Sequence, residues 1–435
     1  MEFYLLIFSL LFCVSSAWNA LKKRALPYAL FIIFFIALTH IHGFYILDAL
    51  SLSDNASFLN TNISKQGFLW SCVYLTIVSI MLFLMAFLSK PIKLIETSSF
   101  YYFKPSKLFY TVIIVVQIIS SYIAIFLLVG IDAFIEESRP GNSSGTSIFL
   151  TLASVGIIPI TIRFLLNEKP KRIDLACFIF TIITTLFFSR IHVIVYSVML
   201  SFAYYYGGGV YKIKNTTEFT FNALLIFISV LFIFLAIGAL RDALNYTNFS
   251  NIFQYLVDSP SDATLLSIER NYKVSVEGMS GLASAMTTYF DRDLNVPFGF
   301  GIDWIILGVS RALPGAIKIY LGGLYDLVSP LNWHTLTIVS PGLETSFVSF
   351  FVFGPFVFCF LFYIIAWQSN KFVLNQKVHP FNRLAVLMFI ANGVFFIRGA
   401  WIHWLGFLVA FLIVLFIFLP LIKSSCKRKE NEIGK

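Results

Sequence analysis

A chain cut into apolar runs of bilayer length by short clusters of lysine and arginine has few ways to fold. Such runs follow one another from residues 3–18 to residues 402–421, and a helix needs roughly 17–25 mostly apolar residues to cross the hydrocarbon core. No water reaches that core to bond exposed N–H and C=O groups, so a spanning segment is either a helix or a strand of a closed barrel. The runs are filled with Leu, Ile and Phe and lack the alternation of a barrel strand. Hydrophobic residues make up 58% of the 435 positions and charged residues only 12%, which is more apolar surface than a water-soluble core can bury. The expected fold class is an all-α polytopic membrane protein of about eleven transmembrane helices.

The basic clusters assign the sides, because Lys and Arg accumulate in cytoplasmic loops. Span 3–18 ends inside at Lys22, Lys23 and Arg24. Spans 25–48 and 67–89 flank an outer loop with Asp54 and Lys65 and return to Lys90, Lys93, Lys104 and Lys107. Span 108–133 exits at Glu136, Glu137 and Arg139, and span 148–166 brings Arg163, Lys169, Lys171 and Arg172 back inside. Two short helices, 174–188 and 192–206, are joined at Ser189-Arg190 and closed by Lys212 and Lys214. Span 219–239 leads out and span 345–366 returns to Lys371, Lys377 and Arg383. The short span 384–397 ends at Arg398, and span 402–421 delivers Lys423, Lys427, Arg428 and Lys429 inside.

This alternation predicts an external N-terminus and a cytoplasmic C-terminus. It divides the chain into spans one to eight in 1–239, a large external loop in 240–342, spans nine to eleven in 343–422 and a basic tail in 423–435. Met1-Glu2-Phe3 lacks a positive n-region, which favours a retained first span over a cleaved signal. The formal charge of +9 is spread over these clusters instead of along one stripe, and that argues against nucleic acid as a partner. Cys13, Cys72, Cys177 and Cys359 fall in or beside apolar segments and Cys426 in the tail, giving neither a disulfide framework nor zinc spacing.

The interval 240–342 is the long polar exception. It holds six Lys/Arg against nine Asp/Glu, which fits an external position in a basic protein. Residues 242–256 continue span eight with apolar positions at helical spacing, as a helix lying on the membrane surface would. Ser259-Pro260-Ser261-Asp262 breaks that pattern and can cap a second helix ending near Asn271. Gly278, Gly281, Pro297, Gly299 and Gly301 punctuate the middle, and 304–309 dips back into apolar character before Arg311 and Pro314. No fixed-period repeat is present, which weakens a transporter reading.

Charged groups beside or within apolar segments are the candidates for chemistry. Arg190 and Arg398 stand where short helix pairs turn at the outer face, and a guanidinium there costs on the order of 2.5–3.5 kcal/mol unless it is paired. Each is either a lipid-phosphate anchor or a ligand for a bound anion. Two at shortened pairs favour the second, with pyrophosphate matching the guanidinium fork. Arg241 follows span eight directly, Arg311 sits in an apolar segment, and Arg270 and Arg292 lie in more polar surroundings. His334 is the one histidine of the interval and is either a structural group bonded to backbone or a general base. Glu344, at the entrance to the apolar run that follows, is either paired with an arginine or acts as a base. Asp291-Arg292-Asp293 has the Asp-x-Asp spacing of a divalent-ion site, a triplet that arises easily by chance, and no metal or other cofactor is expected. Neither a P-loop nor a Gly-x-Ser-x-Gly element occurs.

The short elements Ser189-Arg190, Arg241-Asp242, Gly301-Ile302-Asp303-Trp304, Ser310-Arg311-Ala312-Leu313-Pro314 and Ser340-Pro341-Gly342-Leu343-Glu344-Thr345 occur in that order. Together with residues 351–354, the many spans and one late external loop, they give an architecture that resembles the Wzy-type O-antigen (oligosaccharide repeat-unit) polymerases. O-antigen ligases are similar more distantly. The resemblance implies a membrane-embedded glycosyltransferase in the bacterial inner membrane, working on its outer face. Its substrates would be glycans linked to undecaprenyl pyrophosphate, and a partner protein would set chain length. Arg190, Arg241, Arg311, Arg398 and Arg270 would contact pyrophosphate or glycan lipid, with Glu344 or His334 as the base. An O-antigen ligase, a flippase or transporter for the same lipid-linked sugar, and a structural scaffold are the competing readings.

Overall fold

The computed structural model describes residues 1–58, 61–92, 101–123, 146–186, 190–207, 278–291, 342–398 and 401–428, with 221, 225, 305 and 309 as single helical positions. The helices expected in 242–271 lie outside these residues. So, apart from the single positions, do span 219–239 and the segment 304–309. Among the described residues the secondary structure is mostly helical. Five segments are long and apolar enough to cross a membrane: Glu2–Lys22, Leu26–Leu52, Lys65–Leu88, Leu343–Leu374 and Pro380–Arg398. A sixth forms if Trp404–Ile417 and Leu419–Ser425 are one span bent by 60°, where Pro420 removes a backbone donor in the first turn after the bend. Lys107–Tyr122 and Val193–Tyr206 are shorter apolar helices. The molecule is a mostly helical, multi-pass membrane protein.

The packing of the first span shows how the sequence achieves this. Lipid tails are as apolar as the side chains, so helix association relies on close approach and hydrogen bonds. Ser9, Cys13, Ser16, Ala17 and Ala20, three or four apart, form the buried face of Glu2–Lys22, which packs against Lys65–Leu88. The small side chains let the backbones come near. Cys13 Sγ then reaches Ser79 Oγ at 3.2 Å and Ser16 Oγ reaches the Leu82 carbonyl at 3.1 Å. Tyr4, Phe8, Leu11, Val14 and Trp18 remain exposed on the other face, as lipid-facing residues should.

Helix breaks are filled by side-chain amides. The expected span 148–166 is two helices, Thr146–Ala153 and Ile157–Leu165. The buried Gln117 shares the two N–H groups of Nε2 among the Ala153 carbonyl that the break leaves free, Cys177 O and Thr181 Oγ1. The expected span 384–397 is Pro380–Ala391 followed by Gly393–Arg398, and Asn392 at the break donates to the Trp404 carbonyl at 2.7 Å. The expected span 345–366 is longer than predicted and is interrupted by a 3-10 turn at Phe351–Phe353 and a π-helical turn at Ile364–Gln368.

Four short strands depart from the all-helical expectation among the described residues. Asn55–Phe58 (β1) and Thr61–Ser64 (β2) form an antiparallel hairpin before the span Lys65–Leu88. Tyr101–Phe103 (β3) pairs antiparallel with Cys426–Arg428 (β4), with Phe103 opposite Cys426. This pairing clips the basic loop to the C-terminal tail.

Candidate functional site

Glu344 is fully buried in the first turn of the helix Gly342–Phe350. Free backbone N–H groups and the positive end of the helix dipole favour a carboxylate at that position. The same short helix buries Thr345, Ser346 and Ser349. Ser346 Oγ donates to Leu343 O and pairs with Tyr74 Oη at 2.7 Å. Thr345 Oγ1 and Ser349 Oγ, four residues apart and therefore on one face, have no hydrogen-bond partner among the described residues. A buried hydroxyl left unbonded costs about 1–3 kcal/mol, so two on the helix of a buried carboxylate require a physical explanation. A hydroxyl-bearing ligand is one.

Two further helices complete the surroundings. Met279–Asp291, from the polar interval, packs against Lys65–Leu88 and against the Glu344 helix. Tyr289 packs its ring on Phe347 and Phe351 at 5.9 and 5.0 Å. Its docking depends on Gly67, where a Cβ would fall 2.1 Å from Thr287 Oγ1 and 2.6 Å from Thr287 N. The strand β2 adds a bond from Ser64 N to Thr287 Oγ1 at 3.1 Å. The helix Gly393–Arg398 packs against the Glu344 helix from another side, with Trp401 just beyond it bridging Phe350 and Phe396.

The residues singled out in the sequence are therefore placed as follows. Glu344 and Arg398 lie on helices in direct contact, with Arg398 half-buried at the last residue of its helix, where a positive charge suits the dipole. Arg190 is the first residue of the helix Arg190–Tyr206, and the residues before it at the expected join lie outside the described residues. Arg241, Arg270, Arg311, Arg292 and His334 lie outside the described residues. Among the described residues no group of three His, Cys, Asp or Glu side chains converges as a metal site would need.

Sequence reading missed Met279–Asp291, taking Gly278 and Gly281 as punctuation. The signal was the small-residue spacing Ser280-x-x-x-Ser284 and Ala283-x-x-x-Thr287, which marks close helix packing in membranes. It also read Arg163 only as a topology marker. Arg163 is buried and binds both Asp174 and Glu168, lies 5.1 Å from the Phe103 ring centroid, and shares Asp174 with Tyr110 Oη. Glu168 also accepts from Phe103 N at 2.9 Å, which ties this ion cluster to β3.

No protein-family model, no curated protein and no solved structure matches this chain.

Proposed function

We propose that this chain is an oligosaccharide repeat-unit polymerase, a glycosyltransferase that joins units carried on undecaprenyl pyrophosphate at the outer face of the bacterial inner membrane. The observation that carries the reading is Glu344: a buried carboxylate on the same helix as two buried hydroxyls without partners among the described residues, beside the helix that bears Arg398. In the proposed reaction the acceptor sugar's hydroxyl oxygen bonds to the donor's anomeric carbon. The bond from that carbon to the pyrophosphate oxygen breaks, and the lipid pyrophosphate departs with the electron pair. Glu344 or His334 takes the hydroxyl proton, while Arg398, Arg190, Arg241, Arg311 and Arg270 stabilise charge on the leaving group. Thr345 and Ser349 hold sugar hydroxyls.

The sidedness that this reaction needs is supported by which segments touch. Lys23 donates to Ala86 O, Tyr205 to Arg24 O and Lys104 N to Ser425 O, all between segments assigned inside. Lys65 pairs with Asp54, and Ser64 bonds Thr287, all on segments assigned outside.

The test is reconstitution of the purified protein in vesicles with a labelled lipid-linked repeat unit. Wild type should give lipid-linked chains of many repeats together with free lipid pyrophosphate. Glu344→Gln should slow bond formation by about 100-fold or more, and Arg398→Ala should slow it less. Movement of the labelled unit across the vesicle with no new glycosidic bond would replace this reading with a flippase. Transfer only to a lipid A core acceptor would replace it with a ligase.

A further inference from the structure

Arg383 is a second buried guanidinium, at the opposite end of the bundle from Glu344. It has no exposed surface. Its Nε donates to Val373 O at 2.7 Å and its Nη1 to Gln376 Oε1 at 3.1 Å, while Nη2 has no partner among the described residues. Among the described residues no carboxylate pairs with it, and Glu168 and Asp174 are both engaged by Arg163. From Thr345 to Lys429 the chain carries eight Lys/Arg and no Asp or Glu. The next acids in the sequence, Glu430 and Glu432, lie outside the described residues.

The same hairpin buries more polar atoms without partners. Trp367, Asn370 and Val373 are spaced three apart, and all three are fully buried. Trp367 Nε1 and both Asn370 Nδ2 and Oδ1 lack a hydrogen-bond partner among the described residues. One guanidinium N–H group, one amide N–H group and one indole N–H are donors, and one amide oxygen is an acceptor. The complement to that set is an anion that accepts several hydrogen bonds and also carries a hydroxyl. Phosphatidylglycerol, with a phosphodiester and a glycerol head group, has this chemistry, and so does hydrogen phosphate. His379 begins the helix that carries Arg383, accepting from Phe381 N at 3.2 Å, with Lys423 near enough to act on its charge. Beside Asn370 and Lys371, Phe372 is exposed, where an acyl chain can lie.

We propose that Arg383, with Asn370 and Trp367 on the same hairpin, forms a binding site for a phosphate-bearing anion at the end of the bundle that holds the basic tail. The source is an anionic phospholipid head group or inorganic phosphate. A site of this kind couples the stability of the C-terminal spans to the lipid around them.

The experiment is thermal unfolding of the full-length protein in detergent micelles, titrated separately with phosphatidylglycerol, phosphatidylcholine and inorganic phosphate. Wild type should be stabilised by phosphatidylglycerol and not by phosphatidylcholine if lipid is the source, or by inorganic phosphate if the source is soluble. Arg383→Gln should weaken the apparent affinity by about tenfold or more. Arg383 also holds Val373, so Asn370→Leu is the companion variant: it keeps that bond, removes the amide and should weaken the same response. No response to any anion, an equal response to phosphatidylcholine, or a wild-type response in Asn370→Leu and in any Arg383→Gln that folds would overturn the site.

Discussion

Glu344 and Gly354 show how single residues shape one end of the bundle. Gly354 follows the turn at Phe351–Phe353, where Phe351 takes a positive φ of 47°, a conformation that a bulky residue adopts only when its surroundings enforce it. A Cβ at 354 would lie 2.1 Å from Tyr74 Oη and 2.6 Å from Ser346 O. Gly354→Ala should therefore push Tyr74 off Ser346 and destabilise the fold by about 1–3 kcal/mol, read as a lower melting temperature. Tyr74→Phe, which loses only the hydrogen bond, should cost about 1 kcal/mol. His379, outside the spans, makes a pH prediction. Burial first and Lys423 second hold its imidazole below the ordinary histidine range, and only the neutral ring accepts from Phe381 N. The unfolded chain takes up this proton near pH 6.5 and the folded chain only at lower pH, so between those points the unfolded state binds more protons. The stabilisation is present above that range and falls as pH drops through it. His379→Ala should remove about 0.5–2 kcal/mol of capping at neutral pH and flatten the acid side of the stability curve.

Between residues and the whole molecule stand the elements, and here legibility divides by physical cause. Glu2–Lys22, Leu26–Leu52 and Lys65–Leu88 agree with the expected spans within a few residues, because continuous apolar length is a direct consequence of bilayer thickness. The breaks at 154–156 and 392 were not legible. They depend on Gln117 and Asn392 meeting carbonyls of other segments, and hydropathy averages over such partners. Met279–Asp291 escaped for the related reason that it is small and only mildly apolar, packing by fit and not by hydrophobicity. Within the candidate site, Glu344 was legible as a carboxylate entering an apolar run, whereas the unbonded Thr345 and Ser349 required coordinates. The Arg163 cluster gives this scale its prediction. Arg163→Ala strands Asp174, which is fully buried, and releases Glu168 from the ion pair. It should cost about 3–5 kcal/mol and increase hydrogen exchange across β3 and β4. Arg163→Lys should recover only part, since one ammonium cannot reproduce the guanidinium fork.

Across the whole molecule, the proposed chemistry and the proposed anion site fall at opposite ends. Glu344 lies with Arg398's helix at the end of the β1–β2 hairpin and Met279–Asp291. Arg163 and the β3–β4 clip gather at the end that carries the basic tail, and Tyr101 of β3 packs on His379 at the start of the helix that bears Arg383. The proposed elongation of a glycan on one side of a membrane would use such a division, with a substrate-facing end and an end secured against the bilayer. The most direct measurement is complementation of a polymerase-deficient host that makes a matching repeat unit, with surface polysaccharide resolved on a gel. Wild type should produce a ladder of many repeats. Arg190→Ala, Arg241→Ala, Arg311→Ala and Glu344→Ala at matched membrane levels should collapse it to a single attached repeat, with His334→Ala distinguishing the second candidate base. A wild-type protein that yields only one repeat, or a full ladder from Glu344→Ala, would contradict polymerisation at this site.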